Sequence, residues 1–261
     1  MLSEKVSTEI EKDEFNKLFH DLEMPLGFVL TKMEDEGVNL NENLLNDIEN
    51  KFLSSLKESE NKIFEFCGKE FNLASPKQLG EVLFDDLKII SNPKKTKSGQ
   101  YSTSEEILSK LAKNHPVIGD ILHWRSLQKL LSTYVLALPK QVNPKTKRIH
   151  TIFNQTLTST GRLSSLNPNL QNIPIRTNNG KLIRKAFTAR NQDHVLVSAD
   201  YSQIELRVIA SLSKDEDMIK AFNNNEDIHK STASKVFNID IENVTKEQRS
   251  QAKVVNFGII Y

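Results

Sequence analysis

His194-Val-Leu-Val-Ser-Ala-Asp-Tyr-Ser-Gln-Ile-Glu-Leu-Arg207 is the stretch on which the fold turns. Val195, Leu196, Val197 and Ala199 form a short apolar run, the pattern of a strand covered on both faces. Asp200 ends that run. A carboxylate there is costly to desolvate unless positive charge meets it. Ile204, Val208 and Leu212 then recur at four-residue intervals, which predicts a helix with Glu205 on its first turn. One sharp turn is thus expected to hold two acids close together, an arrangement suited to a divalent metal and a phosphate-bearing substrate.

Two further blocks flank this stretch. Upstream stands Thr158-Ser-Thr-Gly-Arg-Leu-Ser-Ser-Leu-Asn-Pro-Asn-Leu-Gln-Asn-Ile-Pro-Ile-Arg176, and downstream Arg249-Ser-Gln-Ala-Lys-Val-Val-Asn-Phe-Gly-Ile-Ile-Tyr261. Three long blocks in this order resemble the family A DNA polymerases, the bacterial DNA polymerase I type. Asp200–Arg207 is similar to that family's motif A, and Arg249–Tyr261 to its motif B on the fingers helix. The stretch from about Met24 to Pro139 resembles the family's thumb.

The resemblance implies an α+β fold with right-hand polymerase architecture. Residues 1–22 would be a linker or the end of a preceding exonuclease-like domain, 23–140 the thumb, 141–212 part of the palm and 213–261 part of the fingers. Tyr261 lies inside motif B. The family's motif C, with its His-Asp-Glu, is not reached, and neither nuclease domain is expected before the thumb. The expectation is an internal fragment, catalytically incomplete alone, whose partial palm sheet leaves an apolar edge open to association.

The activity implied is template-directed DNA synthesis in replication-associated gap filling and repair, adding dNTPs to a primer 3′-hydroxyl by two-metal phosphoryl transfer. Asp200 would be one of two carboxylates bridging both Mg²⁺ ions, with the Tyr201 backbone carbonyl completing a site. Mg²⁺ keeps waters and takes few carboxylates, so one aspartate suffices for half a site. Tyr201, Ser202, Gln203, Ile204 and Glu205 would line the nucleotide. Glu205, stacked on Tyr261, would be the gate that excludes a 2′-hydroxyl. The resemblance gives Arg249 and Lys253 to the phosphates, Lys253 also to protonation of the departing pyrophosphate. Phe257 goes to the sugar and base, Tyr261 to the stacking end, and His229 to the β-phosphate. Arg162 would read the minor-groove edge of the primer-terminal pair. Thr158, Asn169, Gln171, Asn172 and Arg176 would follow the duplex, and Arg125 and Lys129 would supply the thumb's grip. Implied partners are primer-template DNA and dNTPs, with no membrane and a monomeric intact enzyme.

The residues alone also admit blander functions. Asp200 could cap the following helix, Glu205 could be a helix-start glutamate favoured by the macrodipole, and His229 a lone surface histidine. Arg249, Lys253, Phe257 and Tyr261 are four apart, and each step drifts only about 40°, so they share a broad helix face. That face suits a triphosphate, but an amphipathic helix with a solvated basic edge has the same spacing. Lys94, Lys95, Lys97, Lys145, Lys147 and Arg148 could be phosphate-contact loops or merely solvated charge. A non-catalytic DNA-binding fragment or a truncated gene product is the alternative to a polymerase. A two-metal nuclease would want clustered acids of the Asp-x-Glu kind, which this sequence does not supply.

Composition bounds these expectations. The 261 residues, 38% hydrophobic and 26% charged, fit a soluble globular protein. A net charge of +1 means that DNA binding requires local basic patches. Cys67 stands alone, so no internal disulfide forms and a reducing compartment is expected. With no long apolar span and no signal-peptide core, the cytoplasm is the expected location. Helices are expected from Leu26 through Met33 to a stop at Gly37, over Asn41–Phe66, from Ser75-Pro76, from Ser104, and from Val117 to Leu136. Two more are expected over Ile228–Phe237 and Lys246–Tyr261. Residues 140–157 alternate like strands around an Asn143–Lys147 turn, and Leu163–Ile175 reads as ordered loop.

Overall fold

The computed structural model describes residues 2–12 and 15–260. The chain opens with helices α1 (Leu2–Lys12) and α2 (Asn16–Leu18), the latter running through a π-helical turn at Phe19–Glu23 into α3 (Met24–Glu36). Gly37 stops α3 at φ 60° and ψ −171°, backbone that essentially only glycine adopts. Strand β1 (Val38–Leu40) follows. Asn41 then caps α4 (Glu42–Cys67), its side chain accepting from the Leu44 N–H at 3.0 Å. Leu45, Ile48, Phe52, Leu56 and Ile63 bury one stripe of this helix, as their spacing requires. Ser75 accepts from the Gln78 N–H and Pro76 takes the first helical position of α5 (Pro76–Glu81).

Helices α6 (Glu105–Leu111) and α7 (Pro116–Leu130) close the main core, in which Leu79, Leu83, Leu108, Ile118, Ile121 and Leu127 are fully buried. A π-helical turn at Leu131–Val135 prolongs α7 to the length expected from sequence. Beyond it lie β2 (Arg148–Ile149), β3 (Ile152–Asn154), β4 (Ser164–Leu166), α8 (Asn178–Arg184) and β5 (Phe187–Thr188). Strand β1 is central in an antiparallel sheet of order β2-β1-β5, with Val38 opposite Ile149 and Leu40 opposite Phe187. Strands β3 and β4 form a second antiparallel pair. The Asn143–Lys147 turn is present, closed by the Lys147 N–H donating to the Asn143 carbonyl at 2.8 Å. Arg148, considered for phosphate contact, instead pairs with Glu36, which also takes Arg190. The Glu36 carboxyl is held below the usual range, chiefly by the Arg148 hydrogen bond.

The chain divides into two compact units, residues 1–196 and 197–261. The second comprises α9 (Ile204–Ser213), α10 (Glu216–Asn223), α11 (Ile228–Phe237) and α12 (Lys246–Ile260). Thr245 and Gln248 open α12 with a reciprocal capping box: the Gln248 N–H donates to Thr245 Oγ1 at 3.2 Å and the Thr245 N–H to Gln248 Oε1 at 3.0 Å. Leu206, Ala210, Ala221, Phe222 and Ile228 form one core cluster, and Ala233, Val244 and Ala252 another.

Two expectations are corrected here. Residues 194–200 are not a strand, and Val195, Leu196 and Val197 are 81%, 62% and 84% exposed. A strand exists only where a neighbour completes its ladder, and among the described residues no strand pairs with this run. Helix α9 buries Leu206 and Ala210 rather than Ile204, Val208 and Leu212. It meets α10 through the former pair, and the more apolar face is left outward.

Candidate functional site

The first unit gathers five of the sequence-derived DNA-contact candidates around one groove. Arg125 and Lys129 sit one turn apart on α7, and Gln171, Asn172 and Arg176 lie on the segment before α8. Together with Tyr134 they line an open groove of about 920 Å³. The Tyr134 hydroxyl donates to the Asn172 carbonyl, which ties the segment to the end of α7. Arg125 is half-buried, and its guanidinium donates both to the Thr103 carbonyl and to Thr103 Oγ1. Burial lowers its pKa from the ordinary value, though arginine keeps its charge. Lys129 is exposed.

Buried hydroxyls shape the approach to this segment. Thr151 Oγ1 lies 2.6 Å from Ser165 Oγ and 2.8 Å from the Pro168 carbonyl, and Ser165 Oγ accepts from the Leu170 N–H at 3.0 Å. These contacts hold the turn at Asn167–Pro168, from which Asn169 emerges exposed with Oδ1 accepting from the Gln171 N–H. The Thr158 hydroxyl donates to the Arg162 carbonyl at 2.6 Å, folding the Thr158–Arg162 turn around Gly161 at φ 74°. The Arg162 side chain is exposed.

In the second unit Asp200, Tyr201 and Ser202 are exposed, Tyr201 at 81%. Gln203 takes left-handed backbone at φ 54° and begins α9; its buried Oε1 finds no hydrogen-bond partner among the described residues. Glu205 is half-buried on the first turn. Arg207 donates through Nε to the Ser202 carbonyl at 3.0 Å and lies 4.5 Å over the Phe222 ring, so it braces the turn from below. Among the described residues no group of three or more His, Cys, Asp or Glu gathers to hold a metal. The Asp200 carboxylate and the Tyr201 carbonyl are hard oxygen donors, a set that fits Mg²⁺ with phosphate and water oxygens completing its shell.

Helices α11 and α12 bring Arg249, Lys253 and His229 together. Asp227 caps α11, its Oδ1 accepting from the N–H groups of His229 and Lys230 at 3.0 and 3.1 Å. Its Oδ2 accepts from Arg249 Nε at 2.7 Å. Burial alone would raise the Asp227 pKa, but the Arg249 hydrogen bond and the two backbone donors outweigh it and lower the value. His229 is buried, 2% exposed, in place of the surface position considered for it. Burial pushes its pKa down, and the charges of Arg249 and Lys253 push the same way against Asp227. The Phe257 side chain and all of Tyr261 lie outside the described residues. Sequence reasoning missed Asp227 and Asn256. Asp227, directly before an apolar helical run, carries the ordinary signal of an N-cap.

An α+β polymerase domain is the class to which these elements point, and the comparisons agree. The sequence profile of DNA polymerase family A matches residues 42–261, and the chain belongs to that family. It is 48% identical over 260 residues to DNA polymerase I of Geobacillus stearothermophilus, covering 100% of this chain and 30% of the relative. To DNA polymerase I of Bacillus subtilis it is 49% identical over 260 residues, covering 100% of this chain and 29% of the relative. The chain therefore spans about 30% of the length of the curated relatives it matches. Among solved structures, the POL domain of Pol1 from M. smegmatis, in complex with DNA primer-template and dNTP, superposes with a TM-score of 0.88 at 38% identity. That match covers 99% of this chain and 45% of the other. Among the described residues no helix is long and apolar enough to cross a membrane.

Proposed function

We propose that this chain carries the duplex-gripping and nucleotide-receiving parts of a template-directed DNA polymerase, which extends a primer 3′-hydroxyl with dNTPs during gap filling and repair. The convergence of Arg249 and Lys253 on His229 at the α11–α12 face supports this reading most directly. Two cations one helical turn apart give a triphosphate the fixed positive charge that phosphoryl transfer demands, since its transition state needs neutralisation and positioning more than covalent help. Arg249 is oriented by Asp227 and meets the phosphates as a fork, while Lys253 acts as a point charge able to give a proton to pyrophosphate. Asp200 and the Tyr201 carbonyl would hold Mg²⁺, which would supply positive charge to offset that of the phosphates. Glu205 excludes a 2′-hydroxyl. The groove between α7 and the segment before α8 receives the primer-template duplex, Lys129 meeting phosphate and Asn172 and Gln171 meeting sugar and base edges.

Two titrations of the 261-residue chain test this. Lys253→Ala should weaken dTTP binding about 10- to 100-fold, the value of a charge-assisted contact of roughly 1.5–3 kcal/mol. Binding of a fluorescent primer-template hairpin should weaken with salt, and Lys129→Ala should reduce the slope of log affinity against log salt by about one. Equal dTTP affinity in wild type and Lys253→Ala would remove the nucleotide assignment. An unchanged salt slope would remove Lys129 from the duplex contact.

A further inference from the structure

Asn256 has no part in the nucleotide chemistry just described, yet it makes a specific polar contact between α11 and α12. Its side-chain Nδ2 lies 3.0 Å from His229 Nδ1. With the amide turned so that its –NH₂ faces the ring, Nδ2 donates and Nδ1 presents its lone pair, which puts the ring proton of a neutral imidazole on Nε2. We propose that Asn256 is a positioning residue: it locks His229 in the Nε2–H tautomer and through that ring fixes the register of the cationic face of α12 against α11.

The packing around the pair supports this. His229 and Ala233 are one turn apart on α11, and Ala252 and Asn256 one turn apart on α12. Ala233 and Ala252, 0% and 2% exposed, lie in one cluster. Their small side chains let the two helices approach closely, and a turn further on stands the His229–Asn256 pair. Alanine against alanine tolerates a slip along the axis. A buried imidazole hydrogen-bonded to an amide resists one, because a slip would break that bond. Asp227 fixes the other end of the ring's residue by capping its backbone N–H. The charged groups acting on His229 are Arg249 and Lys253 from α12 and Asp227 from the start of α11. Burial and the two cations oppose a second ring proton, which keeps Nδ1 an acceptor at neutral pH.

The His229 pKa in the folded chain lies below the ordinary 6.5, so the unfolded chain takes up its proton first. Stability linked to this ring is complete above about 6.5 and is lost as pH falls through the lowered folded value. Once protonated, Nδ1–H faces the Asn256 –NH₂, donor against donor.

The role in register rests on reading the α12 face as a triphosphate surface, but the tautomer does not, and the two can fail separately. Nitrogen-15 NMR of the histidine rings in the full 261-residue chain reads the tautomer directly, with His229→Asn identifying the signal. At pH 8 wild type should show Nδ1 unprotonated and Nε2 protonated. Asn256→Ala should yield a mixture of tautomers and about fivefold weaker dTTP binding. Asn256→Asp should move the proton to Nδ1 and raise the His229 pKa, because a carboxylate accepts where the amide donated. Asn256→Asp carries the test even where Asn256→Ala fails to fold. A protonated Nδ1 in wild type, or one tautomer common to wild type and both variants, overturns the proposal. The expected tautomers with wild-type dTTP affinity too weak to measure would uphold Asn256 as the residue that sets the ring and reject the triphosphate reading alone.

Discussion

Asp200→Asn should abolish primer extension by a chimera in which these 261 residues replace their counterpart in Bacillus subtilis DNA polymerase I, 49% identical to them. The substitution keeps the shape of the side chain and removes its charge. Transition-state stabilisation by bound metal amounts to several kcal/mol. At about 1.4 kcal/mol per tenfold, losing the anchoring carboxylate should lower kcat about 10³-fold or more. The melting temperature should barely change, because Asp200 is exposed and follows an exposed run, where surface substitutions usually cost within about ±0.5 kcal/mol. A variant that keeps most of its kcat would sink the metal assignment. A variant that loses kcat together with its melting transition would point to a structural role instead.

The second large effect is on the fold. Gly37→Ala places a Cβ 2.7 Å from the Ile149 carbonyl oxygen and 2.8 Å from the His150 ring. It also forces alanine into backbone at φ 60° and ψ −171°. Backbone of this kind costs about 1–3 kcal/mol for a residue other than glycine, and the overlap adds to it, since neither strand β2 nor the ring held by the Glu34 carbonyl can yield cheaply. A loss of about 3 kcal/mol should lower the melting temperature by roughly 6–12 °C for a unit of this size. A calorimetric scan showing less than about 1 °C would mean that the junction of α3 and β1 relaxes freely.

Helices were largely legible because their signals are local. The apolar stripe of α4, the Ser75-Pro76 start of α5 and the extents of α11 and α12 each follow from spacing and caps within a few residues. The run Val195–Ala199 was not legible, because strand identity belongs to a pair of segments and apolar composition names only one of them. The outward face of α9 failed for a related reason: periodicity says that a helix has faces, while Leu206 and Ala210 are chosen by what α10 presents. Of the site, the residue types were readable, and their partners were not. That Arg125 bonds to Thr103, Arg249 to Asp227 and His229 to Asn256 depends on contacts between residues distant in sequence.

The placement of β1 has a kinetic consequence. Its two neighbours, β2 and β5, come from far along the chain, so their pairing closes long loops and is entropically expensive to start. Helix caps and neighbouring-turn contacts can form well before that closure. Strain introduced at Gly37 should accordingly hasten unfolding far more than it slows refolding, making this short sheet a clasp that fastens last and opens first.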